Sequence, residues 1–182
     1  ATDTPLNAAG RRQAALLAKF LRNEKINAVY SSGKIRAART AEELCKGRGI
    51  KPRAVKDLGE LDFGEWEGRA FSEISKLHGE KFKKWAGNIS SYKAPGGERM
   101  SGMQKRVLAA LKKILKRQAG RTLAIVSHGG PIRIILCDII GIPLENFWKI
   151  KQSHCAVNVV EYFEKGLVQV AEGNNTSFLK KA

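Results

Sequence analysis

The feature that most constrains the fold is an apolar strand that turns directly into a helix. Residues 123–127, Leu-Ala-Ile-Val-Ser, predict a strand inside a sheet that is covered on both faces. The next four residues, His128-Gly129-Gly130-Pro131, predict the start of a helix that extends to about residue 140. Ligands of such sheets bind beyond the carboxyl ends of the strands, where a helix N-terminus favours anions. This junction therefore predicts an anion site beside His128.

The remaining hydrophobic pattern alternates between helices and strands. Helical spacing covers residues 7–23, with Asn7 or its neighbour as the cap, and then residues 34–46 and 99–118. Short strands are predicted at residues 26–31, 53–58, 156–163 and 167–171. This alternation predicts an α/β fold, a three-layer α/β/α sandwich with a mainly parallel sheet. We find no linker, so residues 1–182 are predicted to form a single domain with residues 59–98 as a cover over the active site.

Composition narrows the classes of partner. The chain has 33 Lys and Arg against 17 Asp and Glu, a net charge of +16, which attracts nucleic acid or phosphorylated metabolites. The basic residues are spread over several predicted elements, which is typical of a solvated surface, so we predict no nucleic-acid partner. No apolar run approaches the roughly 20 residues that span a bilayer, so no membrane association is expected. Cys45, Cys137 and Cys155 form no Cys-x-x-Cys pair, which excludes a zinc site of that type and indicates a reducing cytoplasm.

Two further segments carry residues suited to phosphate chemistry. Ser31 and Ser32 end a predicted strand, and Arg36 begins the next helix, where its planar fork can hold two phosphate oxygens. Residues 57–68 place several carboxylates among Leu, Phe and Trp, and desolvation there can raise a carboxyl pKa, as a general acid requires. The pattern by itself does not say which carboxylate is the acid. A single histidine such as His128 is, by itself, more often structural than catalytic.

Five segments in this order resemble the histidine phosphatase superfamily, which has the phosphoglycerate-mutase-like fold. The segments are Asp3-Thr4-Pro5-Leu6, Ser31-Ser32-Gly33-Lys34-Ile35-Arg36-Ala37-Ala38-Arg39-Thr40-Ala41, Leu58-Gly59-Glu60 with Phe63-Gly64-Glu65-Trp66-Glu67-Gly68, Pro95-Gly96-Gly97-Glu98, and Val126-Ser127-His128-Gly129-Gly130 with Ile132-Arg133. They span nearly the whole chain. Only residues 69–94 separate the third segment (residues 58–68) from the fourth (residues 95–98). A cover this short is similar to that of α-ribazole phosphatase-type small phosphatases.

The resemblance implies a role for each matching residue. Glu60 is the proton donor, and His128 stabilises charge on the transferring phosphoryl group. Arg36, His128 and Gly129 bind phosphoryl oxygens. The implied substrate-pocket residues are Ser32, Glu98 and His154. No metal or other cofactor is expected, because arginines and histidines supply the positive charge.

The sequence departs from the family pattern in two places. Gly33-Lys34 replaces a Pro-Leu pair, and the family's Arg-His-Gly segment, which carries the nucleophilic histidine, should precede Asp3 but does not appear. Because the chain opens on Ala1, we expect it to begin inside a longer gene product. We also expect the 182-residue chain to bind a phosphate ester but to hydrolyse it slowly.

The implied function is hydrolysis of a small phosphorylated metabolite, such as α-ribazole 5′-phosphate, through a phosphohistidine. Two alternatives stay open: a cofactor-dependent phosphoglycerate mutase, and a non-catalytic phospho-ligand-binding protein that has lost its nucleophile. An α/β-hydrolase is rejected, because that fold needs a Gly-x-Ser-x-Gly segment and none occurs. A homodimer also stays open.

Overall fold

Three short parallel strands form the main sheet. The structure is a computed structural model that describes residues 2–179. The strands are β1 (Ala28–Ser31), β2 (Arg53–Ala54) and β3 (Leu123–Val126), in the order β2-β1-β3. In register, Ala28 lies beside Leu123 and Ser31 beside Val126, so the carboxyl ends of β1 and β3 coincide. The predicted parallel sheet is confirmed.

Five helices and an antiparallel strand pair complete the chain. The helices are α1 (Ala8–Phe20), α2 (Ile35–Cys45), α3 (Phe71–Gly87), α4 (Met100–Arg117) and α5 (Gly129–Ile139). Strands β4 (Val157–Tyr162) and β5 (Val168–Asn175) form a separate two-stranded sheet. The side chain of Asn7 accepts a hydrogen bond from the Gly10 N–H at 2.8 Å, which confirms the predicted cap of α1.

Alternating side chains on β1 divide the core into two faces. Val29 packs with Ala41 and Cys45 of α2 on one face. Ala28 and Tyr30 point the other way, into a larger cluster that includes residues of α4 and α5. Successive side chains of a strand point to opposite faces, so the sheet separates two helical layers. This arrangement is the predicted three-layer α/β/α sandwich.

Three elements differ from the sequence prediction. The strand predicted over residues 53–58 stops at Ala54 and becomes a 3-10 helix over Lys56–Leu58, because fully buried Leu58 turns the chain into the core. The last strand runs on to Asn175, because Asn158 Oδ1 accepts a hydrogen bond from the Asn174 N–H and extends the pairing. Strand β3 is half-buried rather than buried, since among the described residues only β1 pairs with it.

Residues 59–98 form the region predicted as a cover, built around α3 and an aromatic cluster. The rings of Trp66 and Trp85 meet edge to face at 5.7 Å, and Phe82 lies 5.9 Å from both. The two ends of this region touch. Gly64 has φ +51°, and a Cβ there would lie 2.2 Å from the Pro95 carbonyl oxygen, so no other residue fits.

The three cysteines carry thiols in apolar surroundings. Cys45 and Cys137 are buried, as expected, and Cys155 is half-buried. Burial raises the pKa of all three thiols, and raises that of Cys155 to about 11. In the described part of the chain, no helix is both long enough and apolar enough to cross a membrane.

Candidate active site

The ends of β1 and β3 bring Ser32 and His128 together. The two strands are in register, so the residues that follow them leave the sheet at the same edge. Ser32 Oγ lies 2.7 Å from His128 Nε2, and both side chains are buried. The Lys34 N–H donates to the same Ser32 oxygen at 3.3 Å. Because the Ser32 hydroxyl can both donate and accept, it pairs with Nε2 in either neutral tautomer of His128.

His128 is held as a neutral imidazole. Burial, together with the smaller effect of the positive charges of Arg36 and Lys34, lowers its pKa to about 4. At neutral pH the ring offers one N–H donor. A bound phosphate dianion would oppose the effect of the nearby cations and so raise the pKa of the ring.

Glu60 reaches the N-terminus of α5. Its Oε2 accepts a hydrogen bond from the Gly130 N–H at 3.2 Å, and its Oε1 accepts from the Leu61 N–H at 2.9 Å. A Cβ on Gly130 would lie 2.1 Å from Glu60 Oε1. Gly130 thus provides the space in which this carboxylate lies against the helix N-terminus.

Arg106 of α4 fixes the segment that carries Glu60. Its guanidinium donates to three carbonyl oxygens, those of Asp57 at 2.7 Å, Gly59 at 2.8 Å and Glu60 at 3.2 Å. It also binds both carboxylate oxygens of Glu98, at 2.7 and 2.8 Å. Sequence reasoning missed Arg106. The available signal was a Glu and an Arg eight residues apart, a spacing that spans about two helical turns.

Ser127 adds a second tether that sequence reasoning also missed. Its hydroxyl donates to the Leu58 carbonyl oxygen at 2.7 Å, directly linking the end of β3 to the segment before Glu60. The strand that positions His128 and the segment that positions Glu60 are therefore connected twice, through Ser127 and through α5.

Arg36 lies at the same edge of the sheet. It is half-buried, and its Nη1 donates to the Thr2 carbonyl oxygen at 3.1 Å. Its charge acts on His128, which places the two side chains in one electrostatic environment. Asp3 caps the N-terminus of α2, because its Oδ1 accepts a hydrogen bond from the Ile35 N–H at 2.7 Å.

The structure separates the three predicted pocket residues. Ser32 lies at the centre, in contact with His128. Glu98 binds Arg106 through both carboxylate oxygens. Its carboxylate therefore helps Arg106 to hold the segment that carries Glu60. His154 is exposed in the turn before β4, and no hydrogen bond among the described residues joins it to the other site residues. Within residues 2–179, no cluster of three or more His, Cys, Asp or Glu side chains could hold a metal ion.

The sequence profile of the histidine phosphatase superfamily (branch 1) matches residues 1–175. The chain belongs to this superfamily. The family resemblance drawn from the five sequence segments is confirmed.

Relatives of this histidine phosphatase carry more than one name. Phosphoserine phosphatase 1 of Hydrogenobacter thermophilus is 29% identical over 163 residues, which are 90% of this chain and 77% of the relative. A protein named probable phosphoglycerate mutase GpmB, from Yersinia enterocolitica, is also 29% identical over 163 residues, with 90% and 76% covered.

Solved structures share the fold over almost the whole chain. YhfR of Bacillus stearothermophilus superposes with a TM-score of 0.88 at 31% identity, covering 97% of this chain and 88% of that one. The α-ribazole phosphatase of Shigella flexneri gives a TM-score of 0.86 at 24% identity, covering 96% and 86%. The second match establishes the fold alone. The predicted phosphoglycerate-mutase-like fold class is thereby confirmed.

Proposed function

We propose that this histidine phosphatase hydrolyses a small phosphomonoester through a phosphohistidine intermediate. One observation carries the proposal: a carboxylate, Glu60, and a neutral histidine, His128, meet at the N-terminus of α5, a helix end that favours phosphate. Arg36 contributes positive charge at the same edge of the sheet. A proton donor, a neutral hydrogen-bond donor and a cation around one anion site are the requirements of phosphoryl transfer without a metal.

The nucleophile in this proposal is a histidine N-terminal to residue 1, on a strand that lies between β3 and β4. Val126 of β3 and Val157 of β4 contact one apolar cluster with Leu17, yet the described strands belong to separate sheets. A strand inserted there and parallel to β3 would join the two sheets. Its carboxyl end would then reach the same edge as His128, which is where an attacking imidazole is needed.

The chemistry assigns each step to a named group. The nucleophilic imidazole attacks phosphorus in line, and Arg36, His128 and the Gly129 N–H group neutralise the phosphoryl oxygens. Glu60 gives its proton to the departing alkoxide as the bond from phosphorus to oxygen breaks. The resulting carboxylate then takes a proton from water, which attacks the phosphohistidine and releases inorganic phosphate.

Two substrates follow from the sequence and the relatives. The short cover supports α-ribazole 5′-phosphate as substrate, and one structural neighbour is named α-ribazole phosphatase. The relative named phosphoserine phosphatase 1 supports O-phosphoserine. The relative named as a mutase supports a test for isomerisation.

Phosphate release by the complete gene product tests the proposal, with both esters and 3-phosphoglycerate as substrates and with EDTA present. We expect hydrolysis, which Glu60→Gln lowers by roughly 10²- to 10⁴-fold, the usual contribution of a general acid. The control is Glu65→Gln, an exposed carboxylate in the same segment, which should leave the rate unchanged. Isomerisation of 3-phosphoglycerate without hydrolysis would favour the mutase, and tight phosphate binding without turnover would favour a non-catalytic binder.

The 182-residue chain gives a second test. We expect it to bind inorganic phosphate and to release phosphate from esters far more slowly than the complete product. Equal rates for the two proteins would place the nucleophile within residues 1–182 and would overturn the assignment of the preceding strand.

A further inference from the structure

Arg133 places a second cation beside the proposed phosphate site. It lies one turn into α5, and side chains of a helix point back toward its N-terminus. Its Nη1 is 3.0 Å from the point that a Cβ on Gly129 would occupy. The guanidinium therefore lies against the same helix end that carries His128 and binds Glu60.

One hydrogen bond and two aromatic rings hold this guanidinium in position. Its Nε donates to the Ile150 carbonyl oxygen at 2.7 Å. Its central carbon lies 5.5 Å from the ring centroid of Phe147 and 5.6 Å from that of Trp148. Burial lowers the pKa of Arg133, and the Glu60 carboxylate opposes that effect, so the group remains a cation.

The outer edge of the guanidinium is open to a ligand. Within residues 2–179, no oxygen accepts a hydrogen bond from Nη1 or Nη2, and no carboxylate lies within ion-pair distance of them. Trp148 is 44% exposed beside it, and Phe71, 45% exposed, lies 6.3 Å from the Trp148 ring. A fixed, half-buried guanidinium without an oxygen partner, beside exposed aromatic rings, is arranged to receive a planar anion with two oxygens.

The neighbouring Glu60 indicates which part of the substrate that anion belongs to. Glu60 binds the Gly130 N–H, while Arg133 lies over Gly129, one residue away. If Glu60 protonates the leaving oxygen, the carbon atoms of the departing alcohol begin beside Arg133. We propose that Arg133 binds a carboxylate on this alcohol, so that the preferred substrates are phosphate monoesters of small hydroxy acids. This inference rests on the proposed function and selects among its substrates.

The proposal ranks the two candidate substrates. O-phosphoserine carries a carboxylate two bonds from the ester-bearing carbon, within the span of a small ligand that joins the two subsites. α-Ribazole 5′-phosphate carries no carboxylate and would leave the guanidinium without a partner. The first ester should therefore be the better substrate.

Matched ester pairs test this in the complete gene product. O-phosphoserine and phosphoethanolamine differ only by the carboxylate. We expect Arg133→Met, which keeps an apolar stem on the two rings, to lower kcat/KM for phosphoserine by about 10- to 100-fold and for phosphoethanolamine by less than about threefold, as for loss of a charged hydrogen bond. The control is Lys151→Met, an exposed cation nearby, which should alter neither. Equal losses on both esters would mean that Arg133 acts on phosphate or on Glu60, and would overturn the proposal.

A binding measurement separates this proposal from the proposed function. Calorimetry with 4-phosphonobutyrate and butylphosphonate, which the enzyme cannot hydrolyse, needs no turnover. We expect the carboxylated compound to bind about tenfold more tightly or better, and Arg133→Met to abolish the difference. If no ester is hydrolysed but this preference is found, the proposed function fails and the carboxylate subsite stands. If esters are hydrolysed and the phosphonates bind equally, the subsite fails alone.

Discussion

The strand-end site (Ser32, His128, Gly129 and Gly130) and the cover (residues 59–98) are held by different forces. In the strand-end site, hydrogen bonds of 2.7 to 3.3 Å fix individual polar atoms. The cover is held mainly by aromatic contacts, such as the Trp66, Phe82 and Trp85 rings at 5.7 to 5.9 Å. Proton and phosphoryl transfer depend on the position of single atoms, whereas an apolar surface tolerates small shifts. We therefore expect substitutions in the strand-end site to affect catalysis most, and substitutions among the aromatic residues of the cover to affect mainly stability.

The largest test of this comparison removes Arg106, which holds Glu98 and the segment carrying Glu60 at the two ends of the cover. Arg106→Ala leaves the Glu98 carboxylate and three carbonyl oxygens without their donor. We expect kcat to fall by roughly 10²-fold or more, because Glu60 loses its position, and unfolding free energy to fall by about 2–4 kcal/mol. Steady-state kinetics and urea unfolding measure both quantities.

Two controls accompany that experiment. Lys105→Ala changes an exposed cation next to Arg106 on the same helix and should alter neither quantity. Glu98→Gln keeps part of the contact and should give an intermediate kcat with an altered pH dependence. If Arg106→Ala changed KM alone, Arg106 would be a substrate ligand and not a positioning residue.

A smaller test acts only on the strand-end site. In Gly130→Ala, the new Cβ would lie 2.1 Å from Glu60 Oε1, and the flexible carboxylate can move away. We expect kcat to fall by roughly 10²-fold while stability changes by less than about 1 kcal/mol. Gly102→Ala is the matched control within α4, where the nearest atom is 3.7 Å away and kcat should be unchanged. A large loss of stability in Gly130→Ala would show that backbone, not Glu60, had to move.

The pH dependence of stability tests the burial of His128. Its folded pKa of about 4 lies below the usual 6.5, so the unfolded chain binds the proton more readily. Its contribution is complete above about pH 6.5 and is lost as the pH falls toward 4, with a difference between pH 7 and pH 5 of about 2 kcal/mol. Urea unfolding at the two pH values measures this difference, and His128→Asn should reduce it. An NMR titration that gave His128 a pKa near 6.5 would contradict the prediction.

The smallest effect is expected in the cover. Phe82→Leu removes ring contacts to Trp66 and Trp85 and should lower unfolding free energy by about 1 kcal/mol. We expect kcat to stay within about twofold, because no polar atom of the strand-end site depends on this ring. A tenfold loss of kcat would show that the two regions are coupled more strongly than their contacts suggest.

Local sequence was enough to predict most helices and strands but not the side-chain contacts between them. The cap at Asn7 and the junction at His128 follow from residues adjacent in the chain, and both were predictable. Arg106 binds carbonyl oxygens 46 to 49 residues away, so its role depends on tertiary packing that no local pattern encodes. Glu98 was predicted as a pocket residue, and its contact with Arg106 could not be seen in the sequence. Arg133 appeared only within a family segment, and its aromatic neighbours follow 14 and 15 residues later.

The closure of the cover has a consequence for how such enzymes diversify. The Glu98 N–H donates to the Asp62 carbonyl oxygen at 2.8 Å. The part of the cover between these two residues therefore begins and ends at adjacent positions. A segment with adjacent ends can be exchanged as a cassette, since lengthening a loop costs only about 0.6 kcal/mol per doubling. Grafts between Asp62 and Glu98 would exchange substrate preference while the sheet and its catalytic groups stay in register. New specificities can therefore arise by insertion, without passing through an intermediate that has lost its chemistry.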